Sequence, residues 1–97
     1  MTRYRLSKRA QRDLLEIFTF GHEQFGESQA EIYAASLDHL FSLLGENPRM
    51  GRLAETIAPG VRRHEHRAHV VLYEQAENGV VILAIVHGRS VRRLRLS

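Results

Sequence analysis

Hydrophobic positions form one long continuous run near the end of the chain. Residues 80–86 are all apolar and mostly β-branched, which predicts a strand buried on both faces in the middle of a sheet. Just upstream, Asn78-Gly79 predicts a type I′ hairpin turn, because both residues tolerate positive φ. Residues 69–75 before this turn predict the partner strand. The C-terminal third is therefore expected to form a β-hairpin whose second arm is central.

Two earlier segments carry apolar residues at helical spacing. Residues 8–24 predict a first helix, with Ser7 as its N-cap. Ser28 and Glu31 fit a capping box at the start of a second helix. Pro48 ends this helix, because proline disfavours the helical conformation in the residue before it. The short break between the two segments predicts an antiparallel helical hairpin.

Shorter alternating segments complete the predicted elements. Residues 3–6 predict a first strand, residues 61–65 another, and residues 65–68 a connector to the hairpin. A short C-terminal segment starts at Ser90. The predicted fold class is α+β, with two helices packed on a largely antiparallel sheet of about four strands. The pattern does not fix how the first strand joins the sheet.

The loop from Asn47 to Arg52 is predicted to be structural. Pro48 ends the second helix, and Gly51 allows a turn backbone that a side chain would hinder. The alternative is that Arg49 and Arg52 contact a partner.

Length and composition narrow the class of protein. The chain has 97 residues, which is enough for one domain, residues 1–97, with one modest core. It contains no cysteine, which excludes disulfides and thiolate metal sites and permits a reducing compartment. The first residues lack the apolar stretch of a signal peptide, and no apolar segment is long enough to cross a membrane. The expected location is the cytoplasm.

Charge is distributed unevenly along the chain. The net charge is +3, but residues 1–61 carry 7 basic and 8 acidic side chains, whereas residues 62–97 carry 7 arginines and 3 glutamates. The C-terminal third therefore suits an acidic partner, protein or nucleic acid, although a solvated basic face that only aids solubility fits as well.

Histidines near the predicted turn raise the possibility of a metal site. His64 and His66 would share one face of a strand, with His69 across the turn. No cysteine or well-placed carboxylate pair completes a ligand set. The pattern favours surface histidines beside a turn, and we expect neither a metal nor another cofactor.

One kind of catalysis is compatible with the residues present. RNA can be cut through its own 2′-hydroxyl, which needs a base, an acid and cations. His87 and Arg89, at the end of the central strand, could supply them. The alternative is that His87 caps the sheet and Arg89 pairs with a carboxylate. The absence of other catalytic motifs favours a protein that is not an enzyme.

Several pieces together resemble the ParE branch of the RelE/ParE toxin superfamily. They span almost the whole chain in the family's order and comprise YRLS at 4–7, ENPRMGR at 46–52, GVRR at 60–63, HVVLY at 69–73 and ILAIVHGR at 82–89. The N-P-x-x-G-R loop together with the terminal V-H-G-R is fairly specific. RelE-type ribonucleases commonly carry a late Tyr or His, whereas residues 90–97 contain no Tyr, His or Lys. This departure favours the ParE branch.

The resemblance implies the toxin of a type II toxin–antitoxin system that causes growth arrest. Such toxins are silenced by a ribbon-helix-helix antitoxin of the ParD type, and operator DNA would be bound only indirectly, through the antitoxin. Characterised ParE proteins poison DNA gyrase, so gyrase is the expected target. The alternative is a RelE-like ribosome-dependent ribonuclease acting on messenger RNA. A third possibility is a nucleic-acid-binding module that uses the basic tail.

Arginines are the expected contact residues, because the planar guanidinium matches carboxylates bidentately. The disordered tail of the antitoxin would fold onto exposed apolar surface of the helical hairpin and the sheet edge. Its acidic side chains are expected to contact Arg62, Arg63 and Arg67. For the target, the expected contacts are Arg89, Arg92, Arg93 and Arg95 on the C-terminal segment.

Overall fold

A computed structural model describes residues 3–94, except for the side chain of Arg93. Its elements in chain order are β1 (Tyr4–Leu6), α1 (Lys8–Phe25), α2 (Glu27–Glu46), β2 (Arg52–Leu53), β3 (Val61–His66), β4 (His69–Ala76), β5 (Gly79–His87) and a 3-10 helix (Gly88–Arg93). Neither helix in this part of the chain is long and apolar enough to cross a membrane.

The strands form one mixed sheet in the order β1-β5-β4-β3-β2. All neighbouring pairs are antiparallel except β1 and β5, which are parallel. The two helices pack on this sheet, so the predicted α+β architecture is confirmed. The sheet has five strands in the described region, rather than about four, because a short stretch of the loop after α2 pairs with β3 as β2.

The first strand lies beside the last one, a placement that the sequence pattern left open. The Val80 amide donates to the Arg3 carbonyl at 2.9 Å, and the Ser7 amide donates to the Ile82 carbonyl at 2.9 Å. A Cβ on Gly79 would lie 1.7 Å from the Arg3 carbonyl oxygen. The parallel pairing therefore depends on a glycine at the start of β5.

The helical hairpin has a sharper corner than the sequence predicted. Ser7 caps α1 as expected, and its hydroxyl accepts from the Ala10 amide at 3.0 Å. The predicted capping box of Ser28 and Glu31 is wrong, because α2 already begins at Glu27. Gly26, at φ +90°, is both the C-cap of α1 and the N-cap of α2, and no side chain caps α2. A single glycine linker leaves no room for a separate capping residue.

Both β-hairpin turns differ from their predicted positions. Ala76 pairs with Gly79, so the loop residues are Glu77 and Asn78, and the predicted Asn78-Gly79 turn is wrong. Gly79 is the first residue of β5, where the absence of a side chain leaves room for the Arg3 carbonyl. The turn between β3 and β4 is shorter than the predicted connector, because β3 continues to His66. Arg67, in this turn, is the one non-glycine residue with positive φ within 3–94, at 54°.

The sheet is buried on both faces, as predicted for the central strand. On one face the helices contribute Ala10, Leu37, Leu40, Phe41 and Leu44 to a core with Val71, Tyr73, Val80, Ile82 and Ile85. On the other face, Ala54 and Ile57 of the loop after β2 and Val91 of the 3-10 helix cover Val61, Val70, Leu72, Ala84 and Val86. The burial on both faces explains why β5 reads as a continuous apolar run.

Candidate functional site

A groove of about 720 Å³ lies between the helical hairpin and the end of the sheet where β3, β4 and β5 meet the helices. It is lined by apolar residues of both helices, among them Leu14, Ile17, Phe18, Phe25, Ala30 and Ala34, and at the sheet end by Tyr33, Arg67, Ala68, His69, Ile85 and His87. Asp13 and Glu16 of α1 also line it. The groove thus combines an apolar wall with a polar end that carries a cation, Arg67, and the imidazoles of His69 and His87.

Large apolar side chains are exposed on the helical hairpin next to this groove. Phe20 and Phe25 line the groove and are 61% and 70% exposed, and Leu15 and Ile32 are exposed to a similar degree. Exposed apolar residues that cluster beside a concave surface are typical of a protein interface. The structure therefore shows the exposed apolar hairpin surface that the sequence led us to expect.

Three histidines form a row across neighbouring strands at the polar end of the groove. His66 on β3 pairs directly with His69 on β4, which in turn pairs with His87 on β5. The Tyr33 hydroxyl lies 2.8 Å from Nδ1 of His69, and the rings of His69 and His87 are 5.8 Å apart. Residues directly opposite each other share a face of the sheet, and the contacts of His66 and His69 with α2 show that this is the helix-facing side.

Two hydroxyl groups of α2, those of Tyr33 and Ser36, form hydrogen bonds with this row of histidines. Ser36 Oγ lies 2.9 Å from Nε2 of His66, and the Tyr33 hydroxyl can donate to the His66 carbonyl at 3.3 Å. His66 and His69 are half-buried rather than on the surface, which corrects the predicted surface histidines. Tyr33 and Ser36 were not predicted as site residues, because their positions in the helical pattern indicate only a place near the core face.

The surroundings of the row disfavour positive charge on its histidines. Burial lowers the pKa of His66, and the charges of Arg67 and His64 lower it further. Burial also lowers the pKa of His69, with further contributions from His87 and His66. Burial raises the pKa of Tyr33, which the Arg67 charge partly opposes.

These shifts predict a loss of stability in mild acid. Because the pKa values of His66 and His69 are lowered in the folded protein, the unfolded chain binds protons first as the pH falls below 6.5. Stability should therefore be full above that pH and decrease as the pH falls through the folded-state pKa values. Thermal melting at pH 7.5 and 5.5 measures this, and His39→Gln, which changes an exposed histidine of α2, is the control. An equal melting temperature at both pH values would contradict the prediction.

The histidines do not complete a metal site. Within residues 3–94, no group of three or more His, Cys, Asp or Glu side chains is arranged to hold a metal ion. His64 lies further along β3, opposite Val71, and its Nδ1 is buried without a hydrogen-bond partner. It therefore belongs to the helix–sheet interface rather than to the groove.

The three arginines expected to contact an antitoxin do not lie together. Arg62 is half-buried on the helix-facing side and donates to the Gly51 carbonyl at 2.7 Å. Arg63 lies on the other face of β3 and pairs with Glu65, which also binds Arg52 at 3.1 Å. These pairs and the backbone hold the pKa of Glu65 below its usual value, against the effect of burial. Of the three predicted residues, Arg67 lines the groove.

The C-terminal segment docks on the sheet through apolar residues, while Arg89 and Arg92 face solvent. Val91 is 7% exposed and packs in the core opposite the helices, and Leu94 packs beside it. Arg89 and Arg92 are exposed, and the Arg89 amide donates to Nδ1 of His87 at 3.2 Å. The predicted contact at Arg95 and the side chain of Arg93 lie outside the described residues.

Comparisons with known proteins agree with this architecture. Residues 4–92 match the family model described as ParE toxin of type II toxin-antitoxin system, parDE. The chain is 37% identical over 87 residues to Toxin ParE1 of Caulobacter vibrioides, covering 90% of each chain. It is 34% identical over 89 residues to Toxin ParE1 of Mycobacterium tuberculosis, covering 91% of each.

A solved structure shares the fold at lower sequence identity. It is described as the chromosomal ParDE TA system from P. aeruginosa, and it matches with a TM-score of 0.74 and 22% identity over 90% of this chain and 96% of that chain. The likeness covers both the helical hairpin and the sheet, since it extends over nearly all of the chain. With a family match over residues 4–92 and relatives more than 30% identical over nine-tenths of its length, the chain belongs to the ParE toxin family of the RelE/ParE superfamily.

Proposed function

We propose that this ParE-family toxin arrests growth by binding DNA gyrase in the cytoplasm, without catalysing a reaction itself. The observation that carries the binding mode is the C-terminal segment, where Arg89 and Arg92 are exposed beside the anchored Val91. Because the segment follows the buried β5, it presents these cations in a fixed position, and a partner would lose little entropy in ordering them. Arg93 and Arg95 follow in the sequence and extend the proposed contact.

We further propose that a ParD-like ribbon-helix-helix antitoxin silences the toxin by occupying the groove. The exposed Phe20 and Phe25 offer apolar area to a segment that folds on binding. Arg67 offers the positive charge at the sheet end of the groove. Arg62 and Arg63 remain proposed contacts, although binding through them would compete with the Gly51 carbonyl and with Glu65. Operator DNA would be reached only through the antitoxin.

A ribosome-dependent ribonuclease is the second candidate function, and the histidine row is the observation that favours it. His69, His87 and the Tyr33 hydroxyl place two imidazoles and a phenol at one end of a groove. General acid–base chemistry on RNA could use such a set. Arg89 would then supply the cation, as the sequence suggested.

A supercoiling assay with purified gyrase separates the two functions. We expect the toxin to inhibit supercoiling or to trap cleaved DNA at concentrations above that of gyrase, and His87→Ala to inhibit as strongly as the wild type. No effect on gyrase at a large excess of toxin would contradict the gyrase proposal. Codon-positioned cleavage of messenger RNA in a translation reaction, lost in His87→Ala, would establish the ribonuclease instead.

A further inference from the structure

The turn between β3 and β4 contains an arginine in a conformation that arginine rarely adopts. Arg67 has φ 54°, a region that glycine and asparagine occupy at little cost and other side chains disfavour. An arginine at this position costs conformational energy that a glycine would not. Its presence beside a groove therefore suggests that the guanidinium side chain has a role there. Within residues 3–94, Arg67 makes no ion pair, so its charge is available to a partner.

The imidazole of His69 beside this arginine is placed to receive a proton. Its Nδ1 is bound to the Tyr33 hydroxyl at 2.8 Å. Its other nitrogen, Nε2, has no partner in the described part of the chain, and it is not among the buried unpaired atoms, so solvent reaches it in the groove. If Nδ1 carries a proton, the hydroxyl can accept it while donating its own to the His66 carbonyl at 3.3 Å. The site therefore accommodates His69 in the charged form.

His87, which pairs with His69 across the sheet, is bound to the backbone through one ring nitrogen. Its Nδ1 accepts a hydrogen bond from the Arg89 amide, which requires that nitrogen to be unprotonated. In this form its Nε2 already carries a hydrogen. His87 can thus donate to an acidic group as a neutral ring.

The charges around His69 favour protonation only when an anion arrives. It faces the neutral Tyr33 from α2, His66 from β3, Arg67 from the turn and His87 from β5, with His64 further along β3. On the α1 side, Asp13 and Glu16 line the same groove, but the Asp13 carboxylate already accepts from the Ile85 amide at 3.0 Å and lies 3.5 Å from Arg9. A carboxylate placed beside Arg67 would add a negative charge close to His69, and this charge would favour the protonated form of the His69 ring.

We propose that Arg67 and His69 form a carboxylate-binding subsite at the sheet end of the groove. One acidic side chain of the docked antitoxin lies against the guanidinium and Nε2 of His69, and His69 takes up one proton from solvent as the complex forms. This inference rests on the proposed function, because it assigns part of the antitoxin contact. It makes complex formation tighter in mild acid.

Calorimetric titration with the full-length antitoxin of the same operon tests the subsite between pH 8.5 and 6.5. Titrations in two buffers of different ionisation enthalpy count the protons bound. We expect uptake to approach one proton per toxin toward pH 6.5 and the affinity to rise by up to about tenfold per pH unit, the limit for one linked proton. His69→Gln should abolish both effects, whereas His39→Gln should behave as the wild type.

Arg67→Gly tests the arginine without straining the turn, because glycine favours the positive φ found there. We expect its melting temperature to be unchanged or raised and its affinity for the antitoxin to fall by about tenfold or more, the range for a charged hydrogen bond. Arg12→Ala, at an exposed cation of α1, is the matched control and should bind normally.

The outcomes separate the subsite from the wider proposal. Tight binding without proton uptake, or full affinity in Arg67→Gly, would overturn the subsite and leave the antitoxin assignment in place. An absence of binding at every pH would overturn the antitoxin assignment, and the subsite with it.

Discussion

Replacing Gly51 with valine should lower the melting temperature by more than about 10 °C. A Cβ at this position would lie 2.6 Å from the Arg63 carbonyl oxygen and 2.7 Å from the Tyr73 hydroxyl oxygen. Tyr73 is fully buried, and its hydroxyl accepts from the Gly51 amide at 2.7 Å and donates to the Pro48 carbonyl at 2.9 Å. Neither neighbour can move without breaking the sheet or the core, so about 3 kcal/mol or more of stability should be lost.

Two further variants separate the steric clash of the valine from the loss of the Tyr73 hydrogen bonds and from the general effect of replacing a glycine. Tyr73→Phe keeps the ring but leaves the Gly51 amide and the Pro48 carbonyl without a partner, which should cost about 1–3 kcal/mol, less than the valine. Gly21→Ala is the control, because its Cβ would meet nothing closer than 3.7 Å and alanine favours a helix. If Gly51→Val melted normally but lost toxicity, the loop would be a contact surface for the target, as the alternative for Arg49 and Arg52 supposes.

Reversing the charges of Arg89 and Arg92 should abolish the proposed inhibition of gyrase without unfolding the protein. Arg89→Glu combined with Arg92→Glu changes two exposed side chains and leaves Val91 and Leu94 in the core opposite the helices. We expect supercoiling activity in the presence of this variant to equal that of gyrase alone. Its melting temperature and its affinity for the antitoxin should match those of the wild type, because neither arginine lines the groove.

Truncation after Arg89 is a less direct test of the same segment. Such a truncation also removes the buried Val91. Its loss costs about 1.5–3 kcal/mol, which is a substantial share of the stability of a small domain. Val91→Ala is therefore the matched control for stability: it should lower the melting temperature and keep the inhibition. If the double reversal still inhibits gyrase, the toxic surface lies elsewhere, and the exposed helical hairpin becomes the candidate.

The sequence was sufficient to predict elements whose pattern is local. The apolar spacing of both helices, the Ser7 cap and the run in β5 are set by neighbours within a few residues, and these predictions are confirmed. The errors occurred where a distant contact overrides local preference. Asn78-Gly79 has the sequence of a tight turn, but Gly79 pairs with Ala76 in the sheet. A glycine is required there because the Arg3 carbonyl oxygen occupies the place of a Cβ.

The site was less predictable than the fold, for a related reason. A strand alternates its side chains, so Arg62 and Arg63 had to point to opposite faces, which the sequence period already implied. In the structure Arg62 binds the Gly51 carbonyl and Arg63 binds Glu65. The first of these contacts depends on how the loop after α2 packs against β3, which the sequence pattern does not show. The groove itself joins Tyr33 of α2 to His69 and His87, which are brought together by the packing of α2 on the sheet.

The pairing of β1 with β5 has a consequence for synthesis on the ribosome. Tyr4 pairs with Val80 and Leu6 with Ile82, so the first strand must wait until β5 has been made. Contacts of such large sequence separation form late and slow folding. The helices can form early, but their apolar faces stay uncovered until β4 and β5 emerge. The nascent chain should therefore acquire its native sheet only after β5 has been synthesised, so that a chain still lacking β5 is a substrate for chaperones and proteases.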